Sequence, residues 1–165
     1  MCPELGGTPD HLDILGVNFY YDNRWVDGFR ENLSWANIPF DFRWKSLSIL
    51  LKDVHERYNK PIVIAETSHP GVHRPNWINY ITEECVDVLK KNIPLWGVCL
   101  YPIIDRPDWD HLTPWHQAGL WDAEIIHGEL PTRNLYQPYA DALLESDKII
   151  EKFLSKESKE ILLPV

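Results

Sequence analysis

Three apolar runs, each followed by a stretch of helical periodicity, constrain this chain more than any other feature. The runs are residues 12–21 (LDILGVNFYY), 61–66 (PIVIAE) and 95–104 (LWGVCLYPII). Each is rich in β-branched and aromatic residues and bounded by Pro, Gly, Asn or Asp, which reads as a strand. Between 42 and 58, Trp44, Leu47, Leu51, Val54 and Tyr58 recur at steps of three and four, with Asp41 as the expected cap. Between 77 and 91 the apolar set is Trp77, Tyr80, Ile81, Cys85, Val88 and Leu89, with Asn76 as the cap. A last helix starts near Gln137-Pro138, with Pro close to its first turn, and carries Ala140, Leu143, Leu144, Ile150 and Leu154. Residues 1–154 are therefore one domain, and 155–165 a charged, frayed tail.

The resulting order, β-α-β-α-β-α, predicts an α/β fold with a parallel sheet and right-handed crossovers. The strand-to-strand steps meet or exceed the roughly 30 residues of a barrel's βα unit. The extra length lies after the strands, at 22–40, 67–76 and 105–133, on the side where α/β barrels place binding and catalysis. Three βα units cannot close an eight-strand barrel. Either the chain is the last three-eighths of a larger barrel, or another polypeptide supplies the missing strands, or it is a self-sufficient three-stranded sandwich.

Glu66 ends the run Lys60-Pro61-Ile62-Val63-Ile64-Ala65-Glu66-Thr67, which reads as a strand buried on both faces. A carboxylate at such a strand end is a candidate catalytic group. His69, His73 and Arg74 follow in a loop with Pro70, Gly71 and Pro75 and offer charge or hydrogen bonds. Asn18 either positions substrate or bonds the strand end. Tyr101 and Trp109 either stack on a sugar ring or pack their loop. Asp105, Asp108 and Asp110 bind sugar hydroxyls or serve turns. His111, Trp115 and His116 border the same mouth or fold it down.

The net charge is −9, and no basic cluster exceeds two adjacent residues, so nucleic acid has no electrostatic footprint here. Negative charge also disfavours anionic membranes and substrates, leaving a neutral ligand. The 8 Trp and 7 Tyr, several in Pro-rich loops, suit a neutral sugar or glycoside. Cys2, Cys85 and Cys99 lack metal spacing, and the last two read as reduced packing residues. With a start that lacks a signal-peptide pattern and no bilayer-length apolar run, they point to the cytoplasm. No metal or other cofactor is expected, and no nucleotide-binding Gly-rich loop, nucleophile elbow or P-loop is present.

The three strand ends together resemble the C-terminal part of clan A retaining glycoside hydrolases, in particular the family-1-like, β-glucosidase-type branch. Val17-Asn18-Phe19-Tyr20-Tyr21 resembles the end of that family's sixth strand, and the Glu66 run its seventh. Gly97-Val98-Cys99-Leu100-Tyr101-Pro102-Ile103-Ile104-Asp105-Arg106-Pro107-Asp108-Trp109-Asp110 resembles the eighth strand with its loop. The likeness covers nearly the whole chain. It implies a partial (β/α)8 TIM barrel, the last three βα units, with strands 6–8 and their helices. It also implies Glu66 as nucleophile and Tyr20 as the donor that orients it, with Tyr21 competing because adjacent strand residues face opposite ways. Asn18, Tyr21, His69, Tyr101, Asp105 and Trp109 are the implied substrate contacts. Two departures stand out. Tyr101-Pro102 replaces the Trp-Ser pair of the best-known members, and the Asn-Glu segment that supplies the family's general acid/base has no counterpart. The expectation is a chain inactive alone, completed by a missing N-terminal barrel half, with Asp105 or Glu129 as the first substitutes for the absent acid. The alternative is a non-catalytic carbohydrate-binding or interaction fragment.

Overall fold

A computed structural model describes residues 6, 8–28, 31–124 and 132–160. Cys2 and Glu129 lie outside the described residues. The chain divides into two compact units, Met1–Thr67 with Asp87–Leu100 and Ser68–Val86 with Tyr101–Val165.

The first unit is built on a three-stranded parallel sheet of order β1-β2-β3, with β1 Leu15–Asn18, β2 Ile62–Thr67 and β3 Leu95–Leu100. Leu15 pairs with Ile62 and Ile62 with Leu95, so the apolar runs align in register. A bulge between Val17 and Asn18 sets Asn18 opposite Glu66. All three strands start within the predicted runs, but β1 and β3 are shorter. β1 ends where the chain turns back at Tyr20, whose carbonyl accepts from the Asn23 N–H. β3 ends before Tyr101-Pro102, since proline has no N–H to continue a ladder.

Burial corrects one expectation. Ile62, Ile64 and Thr67 are buried, but Val63, Ala65 and Glu66 are only half-buried. On β3, Trp96 is 63% exposed and Cys99 is exposed, so Cys99 is not the packing residue its apolar run implied. An apolar run reports that a strand can be covered on both faces; a covering layer has to be supplied separately.

Helix α1, Leu47–Tyr58, starts five residues later than predicted, with Ser46 as its cap. The Ser46 Oγ accepts from the Ile49 N–H at 3.3 Å. Asn59 closes the other end in the left-handed conformation, its N–H on the His55 carbonyl. Asp41 instead accepts from the Arg43 backbone and guanidinium, which hold its carboxyl down at about 2. Trp44 lies outside the helix because its ring takes the Arg24 guanidinium at 4.6 Å, with Phe19 on that group at 4.9 Å. Arg24 Nε also donates to the Lys45 carbonyl.

The second unit holds most of α2, Arg74–Leu89. A single 3₁₀ turn, Gly71–His73, precedes α2, and Asn76 lies inside the helix instead of capping it. Pro75 occupies its first turn, where a missing N–H costs nothing. Arg74, Trp77, Ile78, Ile81, Thr82 and Cys85 are buried at helical spacing. Burial pushes the Cys85 thiol up to about 12, so it is an inert packing group. Two antiparallel ribbons follow: β4 Arg106–Pro107 with β5 Trp115–His116, and β6 Trp121–Glu124 with β7 Thr132–Leu135. Helix α3, Gln137–Glu160, continues six residues beyond Leu154. The charged residues read as a frayed tail are strong helix formers, and the helix carries them through Glu160.

Candidate active site

Glu66 stands at the C-terminal end of β2, the central strand. The Tyr20 hydroxyl donates to its Oε2 at 2.7 Å. The two residues are brought together by strand pairing, because the Phe19 N–H donates to the Glu66 carbonyl at 2.9 Å directly beyond the β1–β2 ladder. Tyr20 and Glu66 are both half-buried, so the carboxylate is reachable while one of its oxygens is held. Asn18 is exposed opposite Glu66 in register, and Tyr21 is half-buried next to Tyr20.

The other predicted site residues belong to the second unit. His69 is buried. Its Nδ1 lies 2.8 Å from the Pro70 carbonyl, an acceptor only, so Nδ1 carries the proton. Its ring packs edge-on against His73 and tilted against Trp77. Tyr101 and Trp109 flank the Arg106 guanidinium at 5.4 and 4.6 Å, with Trp109 80% exposed.

Asp105 departs from the expected role. It is buried, and its two oxygens accept from the Gly119 N–H at 2.8 Å and the Ala123 N–H at 3.3 Å. Burial raises its carboxyl above the ordinary 3.8, against the opposing pull of those two N–H groups. It straps its own loop from within, in place of the sugar contact expected of it.

The sequence reading has Arg74 offering charge or hydrogen bonds in the loop after Glu66. It is buried instead, with Nε on the Gly71 carbonyl and Nη1 on the Gly119 carbonyl and Asp122 Oδ1, both at 2.6 Å. Its guanidinium covers the Tyr136 ring at 3.9 Å. Asp122 and Gly119, missed in the sequence, carry no local motif; only their distance from Arg74 in the fold reveals them. Among the described residues no group of three His, Cys, Asp or Glu side chains is placed to hold a metal, and no helix is long and apolar enough to cross a membrane.

No family model matches the sequence, and no curated protein matches it. Solved structures do match in fold. A hyperthermophilic β-glucosidase mutant aligns with a TM-score of 0.57 at 20% identity, covering 79% of this chain and 33% of that one. A family 1 β-glucosidase from Thermotoga maritima aligns at 0.56 and 14% identity, covering 84% and 34%. The β-glycosidase of the hyperthermophile Thermosphaera aggregans aligns at 0.57 and 18% identity, covering 84% and 32%. The chain thus has the α/β fold of part of a β-glucosidase barrel and spans about a third of those chains' length.

Proposed function

We propose that this chain is the nucleophile-bearing part of a retaining glycoside hydrolase of the β-glucosidase type. On this reading its parallel strands are the sixth to eighth of a (β/α)8 barrel, and the general acid/base comes from a segment outside these residues. The observation that carries the reading is the 2.7 Å hydrogen bond from Tyr20 to Glu66 at the end of the central strand. The fold shared with β-glucosidases supports it.

Retention needs one ionised carboxylate to attack the anomeric carbon and a second carboxyl, about 5–5.5 Å away, to protonate the departing oxygen. A phenol O–H bonded to Glu66 Oε2 fixes the rotamer, leaving Oε1 for the anomeric carbon. The new Oε1–C1 bond forms as the C1–O bond to the leaving group breaks. Water, deprotonated by the second carboxyl, then releases the sugar. The substrate is a neutral glycoside, with Asn18 and Tyr21 as its proposed contacts beside Glu66.

The first step can be isolated from the missing acid. A 2,4-dinitrophenyl 2-deoxy-2-fluoro-β-glucoside has a leaving group that departs without a proton, and fluorine slows release of the sugar. Incubated with the full chain, it should leave one glycosyl ester, located on Glu66 by peptide mass spectrometry and absent from Glu66→Gln. An adduct on another residue, or none on a folded chain, would falsify the assignment.

A further inference from the structure

We propose that the C-terminal half of α3 is a docking surface for a second copy of this chain, with the two helices paired in parallel. The inference goes beyond the role of Glu66 and does not rest on it, because α3 belongs wholly to the second unit.

One stripe runs along α3. Tyr139, Leu143, Ser146, Ile150 and Phe153 follow at steps of four and three residues, which keeps them on one side of a helix. The chain covers only the beginning of this stripe. Tyr139 and Ser146 are buried, and Ser146 Oγ lies 2.8 Å from Thr82 Oγ1 of α2. Beyond Ser146 the cover thins. Ile150 and Phe153 are half-buried, and Ile149 and Leu154, at the margins of the stripe, are 43% and 47% exposed. Four large apolar side chains within six residues form a continuous patch, the kind of surface that marks a protein contact.

The charges beside the patch select its occupant. At about 100° per residue, Asp147 and Glu151 fall on one flank of the stripe, and Lys152 and Lys156 on the other. All four are exposed, and none of them forms an ion pair among the described residues. The neighbouring Glu145 is neutralised within the helix by Lys148 at 3.2 Å. Twofold symmetry then decides the direction. In a parallel pair, related by an axis along the helices, the acidic flank of each copy faces the basic flank of the other. In an antiparallel pair acid faces acid and base faces base, which is repulsive. A second copy thus supplies an apolar stripe and the opposite charge on each side of it, through the same patch on both partners. The net charge of −9 makes the copies repel at long range, so the contact is weak, with a Kd between about 10 μM and about 1 mM.

Sedimentation equilibrium of the full chain over that range should show monomer and dimer. Ile149→Asp sets a charge in the patch and should raise Kd by about tenfold or more. Two charge-reversed chains test the pairing. Asp147→Lys with Glu151→Lys makes both flanks basic, and Lys152→Glu with Lys156→Glu makes both acidic. Each alone should dimerise about tenfold more weakly than the parent, and their equimolar mixture should return to within about threefold of it. Glu66→Gln should dimerise like the parent. Near-ultraviolet circular dichroism identifies any variant that has lost its fold, and if Ile149→Asp is one, the charge-reversed chains decide. A parent that stays monomeric throughout overturns the proposal. Self-association unchanged in folded Ile149→Asp arises elsewhere, at the strand edges, and overturns it too. Charge-reversed chains that each dimerise as well as the parent overturn the parallel pairing.

Discussion

Glu66 leaves its strand with one oxygen already held by a phenol. A hydrogen bond to a charged group contributes about 1.5–3 kcal/mol, so Tyr20→Phe should slow formation of the fluoroglycosyl ester by about 10- to 100-fold. The rate constant for adduct appearance measures this. An unchanged rate would reduce Tyr20 to packing. Glu66 and Tyr20 were both legible in the sequence, for different reasons. A β-branched run stopping at a carboxylate is a local signal, and the Asn-aromatic-Tyr segment was readable by resemblance. Which of Tyr20 and Tyr21 reaches the carboxylate was left open by the alternation of strand side chains. The turn at Tyr20–Asn23, just beyond the regular ladder, accompanies the Tyr20 bond.

At the scale of elements, the three parallel strands were placed well, and the ribbons, caps and loop straps were not. Asp41 and Ser46 are both good capping residues, and the helical spacing of Trp44 favoured the earlier one. Arg24, twenty residues away in sequence, takes the Trp44 ring, and no periodicity records such a demand. The straps of the second unit have the same character. Asp105 and Arg74 looked like site residues because they are charged groups in loops, and their backbone partners carry no signature in sequence. Gly119 is the point where the straps converge, its N–H on Asp105 and its carbonyl on Arg74. A Cβ there would lie 2.6 Å from the Asp105 nitrogen and 2.8 Å from the Ile104 carbonyl carbon, both backbone atoms that cannot rotate away. Gly119→Ala should therefore cost about 1–3 kcal/mol, read as a lower denaturation midpoint. Faster amide exchange at residues 119 and 123 should accompany it. A midpoint equal to the parent's would show that the loop has room the geometry denies.

For the molecule as a whole, the proposed reading makes three parallel strands and one well-held carboxylate half of a double-displacement mechanism. An alkyl β-glucoside, whose oxygen leaves only with a proton, should not be turned over by this chain, even where the dinitrophenyl fluoroglycoside labels Glu66. Chromatographic detection of free glucose checks this. Release that persists in Asp105→Asn and stops in Glu66→Gln would place a working acid elsewhere in the chain. The three parallel strands were plain from the alternating pattern, whereas the four short strands of the two antiparallel ribbons were not, and the fold matches about a third of the β-glucosidase chains. What covers the sheet was not, because an apolar run is the same whether or not its second face is packed. Among the described residues that leaves β1 and β3 as the outer strands of a parallel ladder, with the Trp96 indole largely in water on one of them. Unpaired strand edges are templates for any other strand, including those of identical chains. The property this arrangement governs first is colloidal: at high concentration, edge-to-edge stacking competes with solubility, and the −9 net charge is the chief force opposing it.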